Sequence, residues 1–313
     1  MKYLVDIWNE ILTWCHTTIE APTLLTATLV PPNIDLAWVD NSDNETCFTV
    51  WRSTDGTNFT LLDTLGANVE AYTDTTATPG VTYWYRVQAC TDSDTSDFSN
   101  TVETGIEFTD VEYGLLYNWP AATDARNICA DGWHIPTGAE TGALQVYLGA
   151  NPDRSHKVRE VGLTYWSAND GATNEMQFNA RGSGYRDIAG FTNFKTVCSI
   201  FHYQFGGTGP RIIAITSVQF LQGQLLLNST DGASIRPMKD STILSHGETG
   251  IYVDPSGFIY PTICIDTQEW VACNIATKHY RNGDSIPEVT GNAAWNALGT
   301  GAWCYYNNDS ANM

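Results

Sequence analysis

The sequence predicts a mainly β protein in which a β-sandwich is followed by a larger α+β region. Three observations lead to this prediction: short apolar runs with period-two alternation, turn residues between those runs, and little of the Glu, Lys and Leu patterning that is typical of helices. Charged residues make up only 16% of the chain, whereas 42% of the residues are hydrophobic. At 313 residues the chain is long enough for two or three separate cores.

Charge and hydropathy limit the partners. The chain has 35 acidic and 15 basic residues, a formal net charge of -20, and therefore repels phosphate backbones and anionic membrane surfaces at long range. We expect no nucleic-acid partner. No apolar run approaches the ~18 residues of a membrane span, so we expect no membrane-spanning helix. Because Asp6, Asn9 and Glu10 interrupt the first apolar run, we also expect this segment to stay in the mature protein rather than act as a secretion signal.

Residues 1–20 predict a short amphipathic helix, because apolar residues recur there at helical spacing opposite Asp6, Asn9 and Glu10. A helix this short is marginal alone in water, so it must dock on something. It either packs on the next domain or on sister copies, or it anchors the chain in a larger assembly. The predicted anchor residues are Leu4, Ile7, Trp8, Ile11, Leu12 and Trp14.

Residues 21–104 predict the short strands of the sandwich, with turn chemistry such as Asp55-Gly56 and Pro79-Gly80 between the apolar runs. The residues that carry a family resemblance are Trp38, Phe48 to Phe59, Tyr72 to Asp74, Tyr83 to Val87 and Ser99 to Val102. This segment resembles a fibronectin type III domain, with Trp38 where that family has a buried tryptophan. The resemblance implies an immunoglobulin-like sandwich.

Two of the eight cysteines lie at the ends of predicted strands. If Phe48 and Tyr85 face inward, Cys47 and Cys90 lie outward at neighbouring ends of paired strands. A cross-strand disulfide is then geometrically possible, and two free surface thiols are the alternative. The cysteines form no C-x-x-C pair, which argues against a zinc ribbon or a thioredoxin-type site.

Residues 105–240 predict an α+β domain with long loops. Thr137, followed three residues later by Glu140, predicts a capping box at the start of a short helix. The motifs that carry a second resemblance are Tyr113-Gly114, Leu116 to Trp119, Cys129, Gly132 to Thr137, Tyr165-Trp166, Arg181 to Arg186 and Ser234 to Pro237. They resemble the Fibrobacter succinogenes major paralogous domain, which implies a bacterial surface module of C-type-lectin-like fold.

The end of the chain, residues 251–313, resembles the part that comes first in that family. The matching residues are Gln268 to Trp270, Asn274, Tyr280, Asn282-Gly283, Ile286-Pro287, Trp295, Leu298 and Trp303 to Asp309. The domain is therefore predicted to be circularly permuted, with residues 241–250 as a linker. The terminal segment either folds back on residues 105–240 or completes the domain of a neighbouring copy. We favour the first, because the linker is long enough for the return.

Motifs for catalysis and metal binding are missing from the sequence. The six histidines show no H-x-x-x-H or H-E-x-x-H spacing, and no nucleophile elbow, P-loop or dinucleotide fingerprint occurs. We expect no enzyme, no metal and no cofactor, a structural hydrogen bond for His134, and a solvated loop at Asp92 to Asp97. A formylglycine-generating-enzyme-like oxidase is the enzymatic alternative, by shared fold alone.

The ligand-contact candidates are Phe201, His202, Tyr203, Gln204 and Phe205, because aromatic side chains give a large contact area at low entropic cost. The alternative is that alternate residues of this run fill the core. We expect stacking on sugar faces if glycans are bound.

These expectations combine into a functional hypothesis. The chain is predicted to be a non-enzymatic phage virion surface protein, a head fibre, decoration or tail-fibre component. Its N-terminal segment would contact other virion proteins, and its lectin-like domain would bind a host-surface glycan or protein, as a homo-oligomer. The alternative is a bacterial cell-surface or secreted adhesin.

Overall fold

A computed structural model describes residues 18–203, 209–225 and 228–313. It divides into two compact units, Met1–Glu107 and Phe108–Met313, which are described separately. The predicted anchor residues between positions 4 and 14 lie outside the described residues. Within the described part, no helix is both long and apolar enough to cross a bilayer.

The first unit consists of eight antiparallel strands in two sheets. They are β1 (Thr23–Val30), β2 (Asn33–Val39), β3 (Cys47–Ser53), β4 (Thr60–Gly66), β5 (Ala71–Asp74), β6 (Thr82–Cys90), β7 (Thr95–Phe98) and β8 (Val102–Gly105). One sheet has the order β1-β2-β5, and the other has the order β4-β3-β6-β7 with β8 also paired to β6. One apolar cluster draws residues from both sheets, and within it Trp38 lies 5.8 Å from Phe48 between ring centroids. The prediction of a mainly β fold is confirmed, and the unit is consistent with a β-sandwich.

A buried carboxylate links the two sheets of this unit. Asp74, at the end of β5, accepts hydrogen bonds from the Tyr85 hydroxyl of β6 and from an Arg52 nitrogen of β3, both at 2.7 Å. The Thr76 amide and hydroxyl donate to its other oxygen. Burial by itself would raise the pKa of Asp74, but these hydrogen bonds outweigh it, and the pKa is lowered. The charged form is thus the one that the fold stabilises.

A disulfide joins Cys47 and Cys90, which stand directly opposite each other in the β3–β6 pair. Phe48 and Tyr85 are buried as expected. Both cysteines lie on the strand face opposite to Phe48 and Ala89, which pair with each other. Cys47 is partly exposed, whereas Cys90 is buried, and the alternative of two free surface thiols does not hold.

The second unit has four short helices and thirteen strands among its described residues. The helices are α1 (Trp119–Ala122), α2 (Gly138–Leu148), α3 (Asp153–His156) and α4 (Asn292–Asn296). The strands up to the linker are β9 (Leu116–Asn118), β10 (Trp133–His134), β11 (Ser183–Asp187), β12 (Gly190–Phe194), β13 (Cys198–His202), β14 (Arg211–Ile215), β15 (Phe220–Leu225), β16 (Gly232–Ala233) and β17 (Met238–Lys239). The later strands are β18 (Thr249–Val253), β19 (Ile259–Ile265), β20 (Gln268–Val271) and β21 (Trp303–Cys304).

Both sheets of this unit include strands from the terminal segment. One sheet has the order β10-β17-β20-β19-β18, and the other has the order β15-β14-β13-β11-β16-β9-β21 with β12 on β11. In the first, Met238 pairs with Trp270, and in the second, Tyr117 pairs with Trp303. Residues 251–313 therefore lie against residues 108–240 of the same chain in this structure.

Buried arginines reinforce this arrangement. Arg186 is fully buried and donates to the carbonyls of Val289 and Thr290 at 2.9 and 2.8 Å. Arg236, also fully buried, donates to the side-chain oxygen of Asn274 at 3.0 Å. Each guanidinium thus connects the middle of the chain to its terminal segment by charge-assisted hydrogen bonds.

The predicted capping box is present at the start of α2. Thr137 accepts through its side chain from the Glu140 amide at 3.3 Å, and a Glu140 carboxylate oxygen accepts from the Thr137 amide at 2.7 Å. Leu144 and Leu148 are buried beneath this helix, whereas Tyr147 faces outward and contacts the His246 ring. The helix therefore begins where the sequence predicts.

The Asp74 hydrogen bonds predict a pH-dependent first unit. Because the folded-state pKa of Asp74 is lowered, its contribution is fully present above the unfolded pKa of about 4 and is lost as pH falls through the folded-state value. We expect Asp74→Asn to destabilise the first unit by about 3 kcal/mol at neutral pH and to weaken its acid sensitivity. Hydrogen exchange of peptides from β6 measures both effects. Asp92→Asn, in an exposed loop, is the control, and equal behaviour of the two variants would contradict the assignment.

Candidate functional site

An aromatic pair, Trp119 and Tyr203, lies at the surface of the second unit. Their ring centroids are 5.3 Å apart and the ring planes are tilted by 55°. Tyr203 is 37% exposed and Trp119 is half-buried. Two neighbouring, partly exposed aromatic rings form the kind of surface on which sugar rings and apolar side chains stack.

Local backbone contacts fix Trp119. Asn118 accepts a hydrogen bond from the Ala121 amide at 3.0 Å and so caps α1, while Pro120 follows as one of its first residues. Trp119 is therefore the first residue of this short helix, and its amide donates to the Ser229 carbonyl at 3.1 Å. From this position the indole of Trp119 packs against Phe201 of β13.

Tyr203 is held by hydrogen bonds of its amide, its carbonyl and its hydroxyl. Its amide donates to the Pro136 carbonyl at 2.8 Å, and its own carbonyl accepts from the Gly138 amide. Its hydroxyl donates to the Ala122 carbonyl at 3.3 Å. Burial raises the pKa of Tyr203, so the phenol stays neutral at physiological pH. The ring is thus a fixed, uncharged surface.

The structure divides the predicted ligand-contact residues. Phe201 is fully buried and packs on Trp119 at 5.4 Å between centroids, and His202 is also buried. Both are core residues here, because β13 lies between β14 and β11 and every one of its residues is buried. Tyr203 is the contact candidate that reaches the surface. Gln204 and Phe205 lie outside the described residues.

His202 is constrained by its surroundings. Its Nε2 accepts from the Gly223 amide at 3.2 Å, and burial lowers the pKa of His202, which favours the neutral ring. A neutral, hydrogen-bonded and buried imidazole is typical of a structural residue. His202 therefore supports the strand that carries Tyr203.

His134 connects three segments of the second unit. Its Nδ1 lies 2.6 Å from an Asp240 oxygen and its Nε2 lies 3.1 Å from a Glu140 oxygen. Burial would raise the pKa of Glu140, but hydrogen bonds from Thr137 and His134 outweigh it and lower the pKa. His134 thus forms contacts through both ring nitrogens, and its contact with Glu140 stabilises the start of α2.

Among residues 18–203, 209–225 and 228–313, no three His, Cys, Asp or Glu side chains come together as a ligand set for a metal ion. The acidic run from Asp92 to Asp97 forms the turn into β7 and the strand itself. It is exposed except at Ser96, which is buried and accepts through its hydroxyl from the Ala89 amide. The expected solvated loop is thus limited to the first half of the run, because Thr95 to Asp97 belong to β7.

Comparison with known families gives one match. The family model described as the Fibrobacter succinogenes major domain matches residues 51–203, from β3 of the first unit to the residue after β13 in the second. The chain is thus similar to this family over just under half of its length. Curated proteins give no significant match.

Solved structures give only partial likenesses. The chain is similar to the pectate lyase Pel3 from Pectobacterium carotovorum at 24% identity, over 28% of this chain and 27% of that one, with a TM-score of 0.26. It is similar to domains A168-A170 of titin at 18% identity, over 29% and 32% of the two chains, with a TM-score of 0.26. It is similar to a structure titled FN3tt mut at 14% identity, over 28% of this chain and 96% of that one, with a TM-score of 0.25. The chain thus spans about a third or less of the first two proteins.

Phe201 in β13 is buried, whereas Tyr203 just after this strand is partly exposed. This difference leads to a stability prediction. We expect Phe201→Ala to destabilise the protein by about 3–5 kcal/mol, because it removes a fully buried ring. We expect Tyr203→Ala to cost only about 1 kcal/mol, because the ring is partly exposed. Urea unfolding of both variants measures the difference. Equal losses would show that Tyr203 belongs to the core.

Proposed function

We propose that this chain is a non-enzymatic attachment protein that presents a lectin-like domain at the surface of a virion. In this proposal, residues 21–104 form a fibronectin type III module. Residues 105–240 and 251–313 together form a circularly permuted C-type-lectin-like domain. The observation that carries the proposal is the partly exposed aromatic pair of Trp119 and Tyr203, which offers a binding surface.

The permuted domain is supported by the shared sheets of the second unit. The terminal residues that resemble the family's leading part pair with β9 and β17. A permuted chain would retain these contacts while moving its ends. The fibronectin-type assignment is supported by the two-sheet core and by Tyr83, whose hydroxyl accepts from the Thr78 amide at 3.0 Å.

A glycan is the ligand that suits the aromatic pair best. Both rings are uncharged. The Tyr203 ring is fixed by the hydrogen bond of its hydroxyl to the Ala122 carbonyl, and the Trp119 ring packs on Phe201 and Tyr203. Stacking needs little side-chain ordering on binding, because the rings are already held in place. The net charge of -20 disfavours long anionic polymers. We propose a neutral host-surface saccharide as the ligand of this pair.

Binding through the aromatic pair is tested by two substitutions. We expect Tyr203→Ala to weaken adsorption to host cells or to an immobilised host glycan by about tenfold, because it removes one stacking surface. Tyr203→Phe retains the ring and is expected to bind nearly as well. Val146→Ala, on the exposed face of α2, is the control. Unchanged binding by Tyr203→Ala would overturn the proposed site.

The virion setting is tested through the N-terminal segment. We propose that residues 1–20 attach the protein to the particle, because their apolar residues repeat at helical spacing. Deleting residues 1–17 is expected to remove the protein from purified particles while leaving soluble expression intact, which immunoblotting of particles and lysate measures. Particles that retain the shortened chain would contradict this anchor. Presence of the full chain on bacterial cell envelopes and not on particles would indicate the adhesin alternative.

A further inference from the structure

A second cluster of polar and aromatic side chains lies within the terminal segment. We define the Lys278 cluster as Ser256, Lys278, His279 and Tyr305. Each of these four side chains is partly exposed. They come from the turn before β19, from the stretch after β20 and from the residue after β21. The cluster shares no residue with the aromatic pair and does not depend on the function proposed above.

Backbone hydrogen bonds build the cluster. The Lys278 amide donates to the Ser256 hydroxyl oxygen at 2.7 Å, and the Lys278 carbonyl accepts from the Ile286 amide at 2.8 Å. The Trp303 indole donates to the Ile286 carbonyl at 2.8 Å, which brings the start of β21 to the same place. Lys278 and Tyr305 are therefore neighbours because both of their segments are tied to Ile286.

The Lys278 ammonium lies on an aromatic surface. Its nitrogen is 5.0 Å from the Trp303 ring centroid and 5.6 Å from the Tyr305 ring centroid, distances at which cation–π attraction operates. It also donates to the Tyr305 hydroxyl at 3.1 Å. An ammonium has three donors, and within the described residues this is its only hydrogen bond.

Lys278 lacks a carboxylate partner in the described part of the chain. Lys157, Lys239 and Arg281 each form an ion pair there, although the chain has more than twice as many acidic as basic residues. Asp254, in the turn that carries Ser256, is buried and already accepts from the Tyr260 hydroxyl at 2.8 Å. It also accepts from two amides of its own turn. Lys278 is therefore a held cation with unused donors.

In the tautomer whose Nδ1 accepts from the Ser256 hydroxyl, the Nε2 of His279 carries the proton and is a second donor beside this cation. Its Nδ1 lies 3.0 Å from the Ser256 hydroxyl oxygen, and its Nε2 has no hydrogen bond among the described residues. The ring is thus held by one nitrogen and leaves the other for a ligand. A cation, an imidazole nitrogen and part of a phenol ring then stand together at one partly exposed place.

We propose that the Lys278 cluster binds a carboxylate-bearing sugar, with the carboxylate on Lys278 and His279 and the sugar ring against Tyr305. A carboxylate accepts charge-assisted hydrogen bonds from an ammonium and an imidazole, and a pyranose ring matches the exposed part of the phenol. The net charge of -20 repels a polyanion more strongly than a ligand with a single negative charge. For the single charge, repulsion from acidic residues beyond about 8 Å is screened in physiological salt, whereas its contact with Lys278 is not screened.

The test uses two ligands that differ only in the carboxylate. Methyl β-D-glucuronide and methyl β-D-glucoside are titrated into the full chain, and binding is followed by ligand-observed NMR. We expect the glucuronide to bind at least about tenfold more tightly, the size of effect expected from hydrogen bonds to a charged group. Equal binding of the two ligands, or no binding of the glucuronide, would overturn the proposal without using any variant.

Matched variants assign the effect to Lys278. Lys278→Met retains the length of the side chain without its charge, and it is expected to lose the preference for the glucuronide. Lys278→Arg retains the charge and is expected to keep the preference. Lys157→Met removes a lysine that pairs with Glu175 instead and should change nothing. A preference that survives in a folded Lys278→Met protein would place the carboxylate elsewhere. Tyr203→Ala is expected to leave the glucuronide preference intact, which separates this site from the aromatic pair.

Discussion

The second unit depends on one constraint, that the end of the chain must pair with its middle. Without β18, β19 and β20, one sheet would retain only β10 and β17, and without β21 the other would lose the strand next to β9. The apolar cluster that contains Tyr117 and Ile235 also contains Val271, Tyr280 and Trp303. Both the aromatic pair and the Lys278 cluster are positioned by this joint core. Any binding function of the unit therefore requires that residues from both parts of the chain be folded together.

Buried arginines show how the fold keeps this pairing specific. Burial disfavours a guanidinium cation, and it lowers the pKa of Arg159 and of Arg236. Carbonyl groups and aromatic faces compensate: Arg186 lies 4.4 Å from the Trp295 ring centroid and Arg236 lies 4.2 Å from that of Phe178. Such hydrogen bonds have a fixed geometry, unlike apolar contacts. A shifted register would leave a buried charge without acceptors, which disfavours alternative pairings.

The sequence was sufficient for features that depend on local chemistry. The capping box at Thr137 and the alternation in β3 and β6 follow from neighbouring residues, and both are present. The burial of Phe201 and His202 was not predictable from alternation, because β13 is covered on both faces by segments distant in sequence. The Lys278 cluster was missed for the same reason, since Ser256, Lys278 and Tyr305 are far apart in sequence and meet only in the folded chain. The Asn-Trp-Pro order at positions 118–120 was a usable signal for a helix start.

The cysteines of the two units differ in their chemical state. The first unit has the Cys47–Cys90 bond, whereas Cys129, Cys198, Cys264, Cys273 and Cys304 of the second unit are unbonded. Burial raises the pKa of each of these five thiols, which keeps them protonated and poorly reactive. In a reducing medium the first unit would fold without its cross-link, and the bond would form in an oxidising medium. Such a change of medium would add a covalent link within one unit while leaving the other chemically unchanged.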